Sequence, residues 1–135
     1  MSQSRYVDDR RVWFEGTELH IGEASNRTDQ PILDIAVAGG YVCVLLDPAG
    51  YGPDDPSYER NVMGYDLRAR AMWRIAPSQG GYTEHGRRYR SPFVRLASAH
   101  GGCFFEVSEA LDLDHDVVPR TGILFNMRPT PGRAT

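Results

Sequence analysis

Ile32-Leu33-Asp34-Ile35-Ala36-Val37-Ala38-Gly39-Gly40-Tyr41-Val42-Cys43-Val44-Leu45-Leu46 is two apolar runs joined by a Gly-Gly pair. A Gly-Gly between such runs favours a tight hairpin turn, because both central positions can take φ > 0. Alternation in the second run puts Val42, Val44 and Leu46 on one face and Tyr41, Cys43 and Leu45 on the other. Both faces are apolar, so this strand is expected to be interior and covered on both sides.

Reading outward, strand signals continue while helix signals are scarce. Residues 11–14 and 18–21 flank Glu15-Gly16-Thr17 as an N-terminal hairpin, and 61–67 pairs with 71–76. Residues 93–99, 103–108 and 122–127 follow, while 108–112 suits one helical turn. About nine or ten short strands with frequent turns predict an all-β antiparallel domain. The 135 residues suit one domain.

An internal repeat sharpens this expectation. A shift of 62 places Gly39-Gly40 on Gly101-Gly102 and Val42 on Phe104. A shift of 60 places Arg60 on Arg120, Tyr65 on Phe125 and Arg68 on Arg128. Two copies of a four-strand unit, about 32–75 and 94–128, are therefore expected. They should form two packed blade-like sheets, with the N-terminal hairpin capping an open edge.

Composition excludes some chemistry. All 15 cations are Arg, so Schiff-base and P-loop lysines are impossible. A formal net charge of −3 argues against a nucleic-acid coat. The polar N-terminus and the short apolar runs predict neither a secretory signal nor a membrane span, which leaves the cytoplasm as the default location. Cys43 and Cys103 lie in apolar runs with no metal-type spacing, and both are expected to be buried thiols.

The segment Asn61-Val62-Met63-Gly64-Tyr65-Asp66-Leu67-Arg68-Ala69-Arg70-Ala71-Met72-Trp73-Arg74-Ile75 resembles the last two strands of a quinoprotein-like (PQQ-type) β-propeller repeat. There an aromatic-Asp pair enters a tight turn and a Trp closes the next strand. Asp at a turn start accepts from backbone amides ahead of it, and the Trp packs between neighbouring sheets. Ala69 departs from the repeat, which usually has Gly or Asn there, so the turn must tolerate a Cβ. With Ile32-Leu33-Asp34 and Val42 to Pro48, the wider order resembles a group of small bacterial proteins built on this repeat. The resemblance implies a fold and no chemistry. Two units are too few to close a ring, so quinone binding is not carried over and no cofactor is expected.

Three clusters are candidates for recognition. Glu84-His85-Gly86-Arg87-Arg88-Tyr89-Arg90 is the one basic cluster, and Arg87, Arg88, Tyr89 and Arg90 could grip a partner. The loop 47–56 and its flank offer Tyr51, Asp54 and Asp55. Asp112, Asp114 and Asp116 alternate like the start of a Ca²⁺ loop, but Val117 stands where the sharp turn needs Gly. A solvated acidic loop is the better reading there. No HExxH, G-x-S-x-G or Gly-rich phosphate motif is present, so no catalytic residue is assigned.

The sequence therefore points first to a non-catalytic interaction module, of toxin-neutralising or adaptor type, with a protein partner and neither nucleic acid nor membrane. A homodimer covering open sheet edges is an additional expectation. The alternatives are a hydrolase using loop carboxylates with His115 or His85, and a calcium or small-ligand binder.

Overall fold

A computed structural model describes residues 4–52, 54–78, 83–84, 87–88 and 90–131. Strands β1 (Arg5–Val7), β2 (Arg10–Glu15), β3 (Glu18–Ile21) and β4 (Ala24–Arg27) form a first antiparallel sheet in chain order. Strands β5 (Ile32–Ala38), β6 (Tyr41–Leu46), β7 (Val62–Tyr65) and β8 (Ala71–Arg74) form a second. After a two-stranded ribbon, β9 (Thr83–Glu84) with β10 (Arg87–Arg88), a third sheet follows. It comprises β11 (Phe93–Ala99), β12 (Phe104–Glu109), β13 (Leu113–Val117) and β14 (Leu124–Pro129), again in chain order. Among the described residues no helix is long and apolar enough to cross a membrane.

The chain is thus all-β and blade-like, with three four-stranded units where the sequence suggested two. The expected N-terminal hairpin exists as β2–β3. Polar flanking strands that carry little hydrophobic signal, β1 and β4, extend it into a full sheet. A second correction concerns residues 112–116, which the sequence reads as an acidic loop. Leu113–Val117 is a strand paired on both sides, and its Asp114, His115 and Asp116 are buried. That strand changes the repeat register. Tyr65 lies in the third strand of its sheet and Phe125 in the fourth of its own, so the shift of 60 matches non-equivalent positions.

Strand β6 behaves as its alternation requires. Val42, Val44 and Leu46 pack with Val12, Leu19 and Ile21 of the first sheet. Cys43 and Leu45 pack with Phe93, Phe105 and Val107 of the third. Each fully buried aliphatic side chain contributes roughly 1.5–3 kcal/mol, so the middle sheet glues the other two.

The first strands of the three sheets, β1, β5 and β11, are neighbours along one axis, as in a propeller from which further blades have been removed. The two Gly-Gly turns meet there, with the Gly39 N–H donating to the Gly102 carbonyl at 2.8 Å. Gly39 and Gly40 have φ of 56° and 80°, Gly101 and Gly102 of 67° and 86°, all positions that favour glycine.

Asparagine side chains tie sheet to sheet. Asn61 Nδ2 donates to the Leu46 and Phe93 carbonyls at 2.9 and 2.8 Å, and its Oδ1 accepts from the Phe93 N–H at 2.9 Å. Asn26 Nδ2 donates to the Ala69 carbonyl at 2.9 Å, joining the first sheet to the second. The Asp66 turn forms as the repeat implies, with Oδ1 accepting from Arg68 N and Arg70 N at 2.9 and 3.0 Å. Ala69 takes φ 60° in this turn, so the departure from Gly or Asn is accommodated in a left-handed conformation.

Candidate functional site

Strands β5 and β11 each carry a bulge at the same point, between Ile32 and Asp34 and between Phe93 and Arg95. A bulge leaves one residue without a ladder partner and re-aims its side chain. Here those residues are Leu33 and Val94, which are 50% and 44% exposed although each follows a buried residue, Ile32 and Phe93. Both line a cleft of about 630 Å³ with Asp34, Arg95, Glu106 and Arg128. Leu33 also lines an adjoining cleft of about 820 Å³ with Arg11, Trp13 and Glu15. Leu33 is shared by the two linings, and the two clefts that flank it are together termed the groove.

The wall of the groove on the third sheet is a charge network. Arg128 pairs with Glu106 and, at 3.0 Å, with Asp116 Oδ1. Asp116 Oδ2 also accepts from Asn126 Nδ2 at 2.9 Å and contacts His100 Nε2 at 3.1 Å. Burial pushes the Asp116 carboxyl up, but Asn126, His100 and Arg128 outweigh it and hold the carboxyl below its ordinary value. Asp114 accepts from Ser108 and Thr130, both at 2.7 Å, and is held low despite its burial. Arg95 stands beside this network, exposed in the groove.

The outer face of the first sheet carries an aromatic stack, with His20 Nε2 3.6 Å from Glu18 and without a hydrogen-bond partner among the described residues. Trp13 and His20 stack at 3.9 Å with an 8° interplanar angle, and Arg11 lies 5.2 Å over the Trp13 ring. Glu18 pairs with Arg27 at 3.0 Å.

The structure brings two of the sequence-derived clusters together. Asp47 and Asp55 cap the short 3-10 turns Pro48–Gly50 and Pro56–Glu59 by accepting from Ala49 N and Ser57 N, each at 2.9 Å. Arg90 donates to the Asp55 carbonyl, lies 3.8 Å from Glu59 and sits 5.1 Å over the Tyr58 ring. Tyr51 donates to Asp29 at 2.8 Å and accepts from Arg74. Burial and the Asp29 carboxylate push its hydroxyl up to about 12, against the opposing pull of Arg74. Asp54 is exposed. Arg87 and Arg88 lie in β10, while His85 and Tyr89 fall outside the described residues.

Asp112, Asp114 and Asp116 do not share a site. Asp112 occupies the turn before β13 at φ 62°, and the other two belong to the network above. Among the described residues no three His, Cys, Asp or Glu side chains are grouped to hold a metal ion.

Behind the groove, on the opposite face of the third sheet, lies a buried cluster the sequence did not reveal. His115 Nε2 contacts Glu109 Oε2, and Ser78 Oγ lies 3.3 Å from the same nitrogen. A nucleophile relay needs the acid on one ring nitrogen and the hydroxyl on the other. Here both share Nε2, so the arrangement is a buried pairing. Burial pushes Glu109 up, yet His115 and the nearby serine hydroxyls hold it below its ordinary value.

A family model described as "Domain of unknown function (DUF7957)" matches residues 10–104. No curated protein matches the sequence. Among solved structures, BamB from Moraxella catarrhalis superposes with a TM-score of 0.57 over 95% of this chain, at 9% identity. The chain spans 35% of that structure's length, about a third. At this identity the likeness speaks for the fold alone, a PQQ-like β-propeller.

Proposed function

This chain belongs to the DUF7957 domain family, and we propose that it is a non-catalytic interaction module that binds a protein partner along the groove past Leu33 and Val94. One observation carries the reading. Two equivalent bulges each set one large aliphatic, Leu33 and Val94, outward into the clefts of the groove. Exposed apolar side chains gathered in a concave surface with a polar rim are a mark of interaction sites.

The Arg90 and Tyr51 contacts support a scaffold role for the loop 47–60, so it frames the groove reading without replacing it.

The test is the double variant Leu33→Asp, Val94→Asp, two exposed positions at which folding should survive. Affinity purification from the native cell, quantified by mass spectrometry, should recover a specific partner with the wild type. The double variant should lose that partner by at least tenfold. Equal recovery with a folded variant would remove the groove from the reading.

A further inference from the structure

On the rim between the second and third sheets lies another cleft, of about 460 Å³, remote in character from the polar groove. Its walls include Pro77, Ile123, Phe125 and Met127, and His115 forms part of its lining. Ile123, Phe125 and Met127 are 61%, 37% and 53% exposed, an unusual gathering of large apolar side chains on one strand end. Asn126 also lines the cleft, but its amide is already given to Asp116 at 2.9 Å.

Among the described lining residues His115 is the one ionisable group, and it is only 3% exposed. Its Nε2 is engaged by the Glu109 carboxylate, which lies behind it in the core. In a neutral imidazole that contact puts the proton on Nε2 and leaves the lone pair on Nδ1, a single hydrogen-bond acceptor. A buried, carboxylate-oriented imidazole beneath an apolar cleft of ligand size has the layout of a small-molecule site, with mostly apolar walls and one fixed polar group.

We propose that this cleft binds a small, mostly apolar molecule carrying one hydroxyl or N–H, which His115 accepts while Ile123, Phe125 and Met127 cover its body. The Glu109 carboxylate acts as the positioning group that fixes the ring through Nε2 and leaves Nδ1 as its remaining hydrogen-bonding atom. This site goes beyond the protein-binding reading and does not depend on the groove.

Indole and 1-methylindole are matched probes, because they share an aromatic body and differ in the N–H. Titration of the full chain, followed by NMR at the Ile123 and Met127 methyl groups and the His115 ring, should give saturable shifts with indole. Binding of 1-methylindole should be roughly fivefold weaker, the worth of one hydrogen bond. Met127→Asp, at an exposed position, should abolish both. His115→Phe combined with Glu109→Gln should remove the difference between the probes. No saturable shift with indole up to about 10 mM, equal affinity for the two probes, or unchanged binding by Met127→Asp would each overturn the proposal. None of these outcomes bears on the Leu33 and Val94 test.

Discussion

Trp73 of the second sheet occupies the space a side chain would need at Gly122 of the third. A Cβ on Gly122 would stand 2.4 Å from the Trp73 ring, and one on Gly64 would stand 2.1 Å from it. The indole Nε1 donates to the Pro119 carbonyl at 2.8 Å, and its ring lies 6.5 Å from that of Phe105. One tryptophan therefore closes its own sheet and fastens the next.

Gly122→Ala should be strongly destabilising, for two reasons. The added methyl overpacks against a large ring, and φ 76° is a left-handed conformation that Ala adopts with strain. Together these predict a loss of about 2–4 kcal/mol. Urea unfolding of the variant and the wild type will measure it. Wild-type stability would mean that Trp73 can move aside freely.

Asn61 makes a different prediction, because its side chain adds three directed hydrogen bonds, two to Phe93 of the third sheet and one to Leu46 of its own. Asn61→Leu keeps the volume but strands the Phe93 N–H and carbonyl and the Leu46 carbonyl. Leaving buried peptide groups unsatisfied costs about 1–3 kcal/mol each, so a total near 3 kcal/mol is expected after relaxation. Hydrogen exchange at the Phe93 amide should accelerate with it. Unaltered exchange would place the sheet-to-sheet staple elsewhere.

The acidic network on the third sheet sets a pH limit. The Asp116 and Asp114 carboxyls sit below their ordinary value, burial being outweighed by the donors around them. The folded state then binds fewer protons than the unfolded state. Their stabilisation is complete above the unfolded value, about 4, and is lost as pH falls through the depressed folded values. Calorimetric melting points from pH 7 down to about 2.5 should drop steeply on the acid side. Asp116→Asn should lower the midpoint at pH 7 and flatten that acid limb. An equally steep limb in the variant would assign the acid sensitivity to other carboxylates.

What could be seen in the sequence follows from which strands carry their own signal. Val42 to Leu46 announces its two apolar faces, and both faces are packed. Leu113–Val117 announces nothing, because Asp114 and Asp116 are buried only with Ser108, Thr130, Arg128, Asn126 and His100 around them. Those partners come from three separate segments, and no spacing rule connects them. The same reason hid the His115–Glu109 pair and the groove. Leu33 and Val94 look like core residues until bulges turn them outward. Asp55 and Arg90 were legible as candidates singly, while their union was not.

The two cysteines give a prediction that separates the middle sheet from its surroundings. The sequence placed both thiols in the interior, yet Cys103 is exposed just after the Gly101-Gly102 turn, whereas Cys43 is fully buried in the core. Burial also pushes the Cys43 thiol up, which suppresses the reactive thiolate. Under native conditions a thiol reagent should label Cys103 promptly and Cys43 only through opening of the middle sheet. If that opening approaches global unfolding, Cys43 should react at least about 1000-fold more slowly. Both should label at similar rates in denaturant. Mass spectrometry of timed reactions will read this, and comparable native rates would mean that β6 opens locally, against its place between two packed sheets.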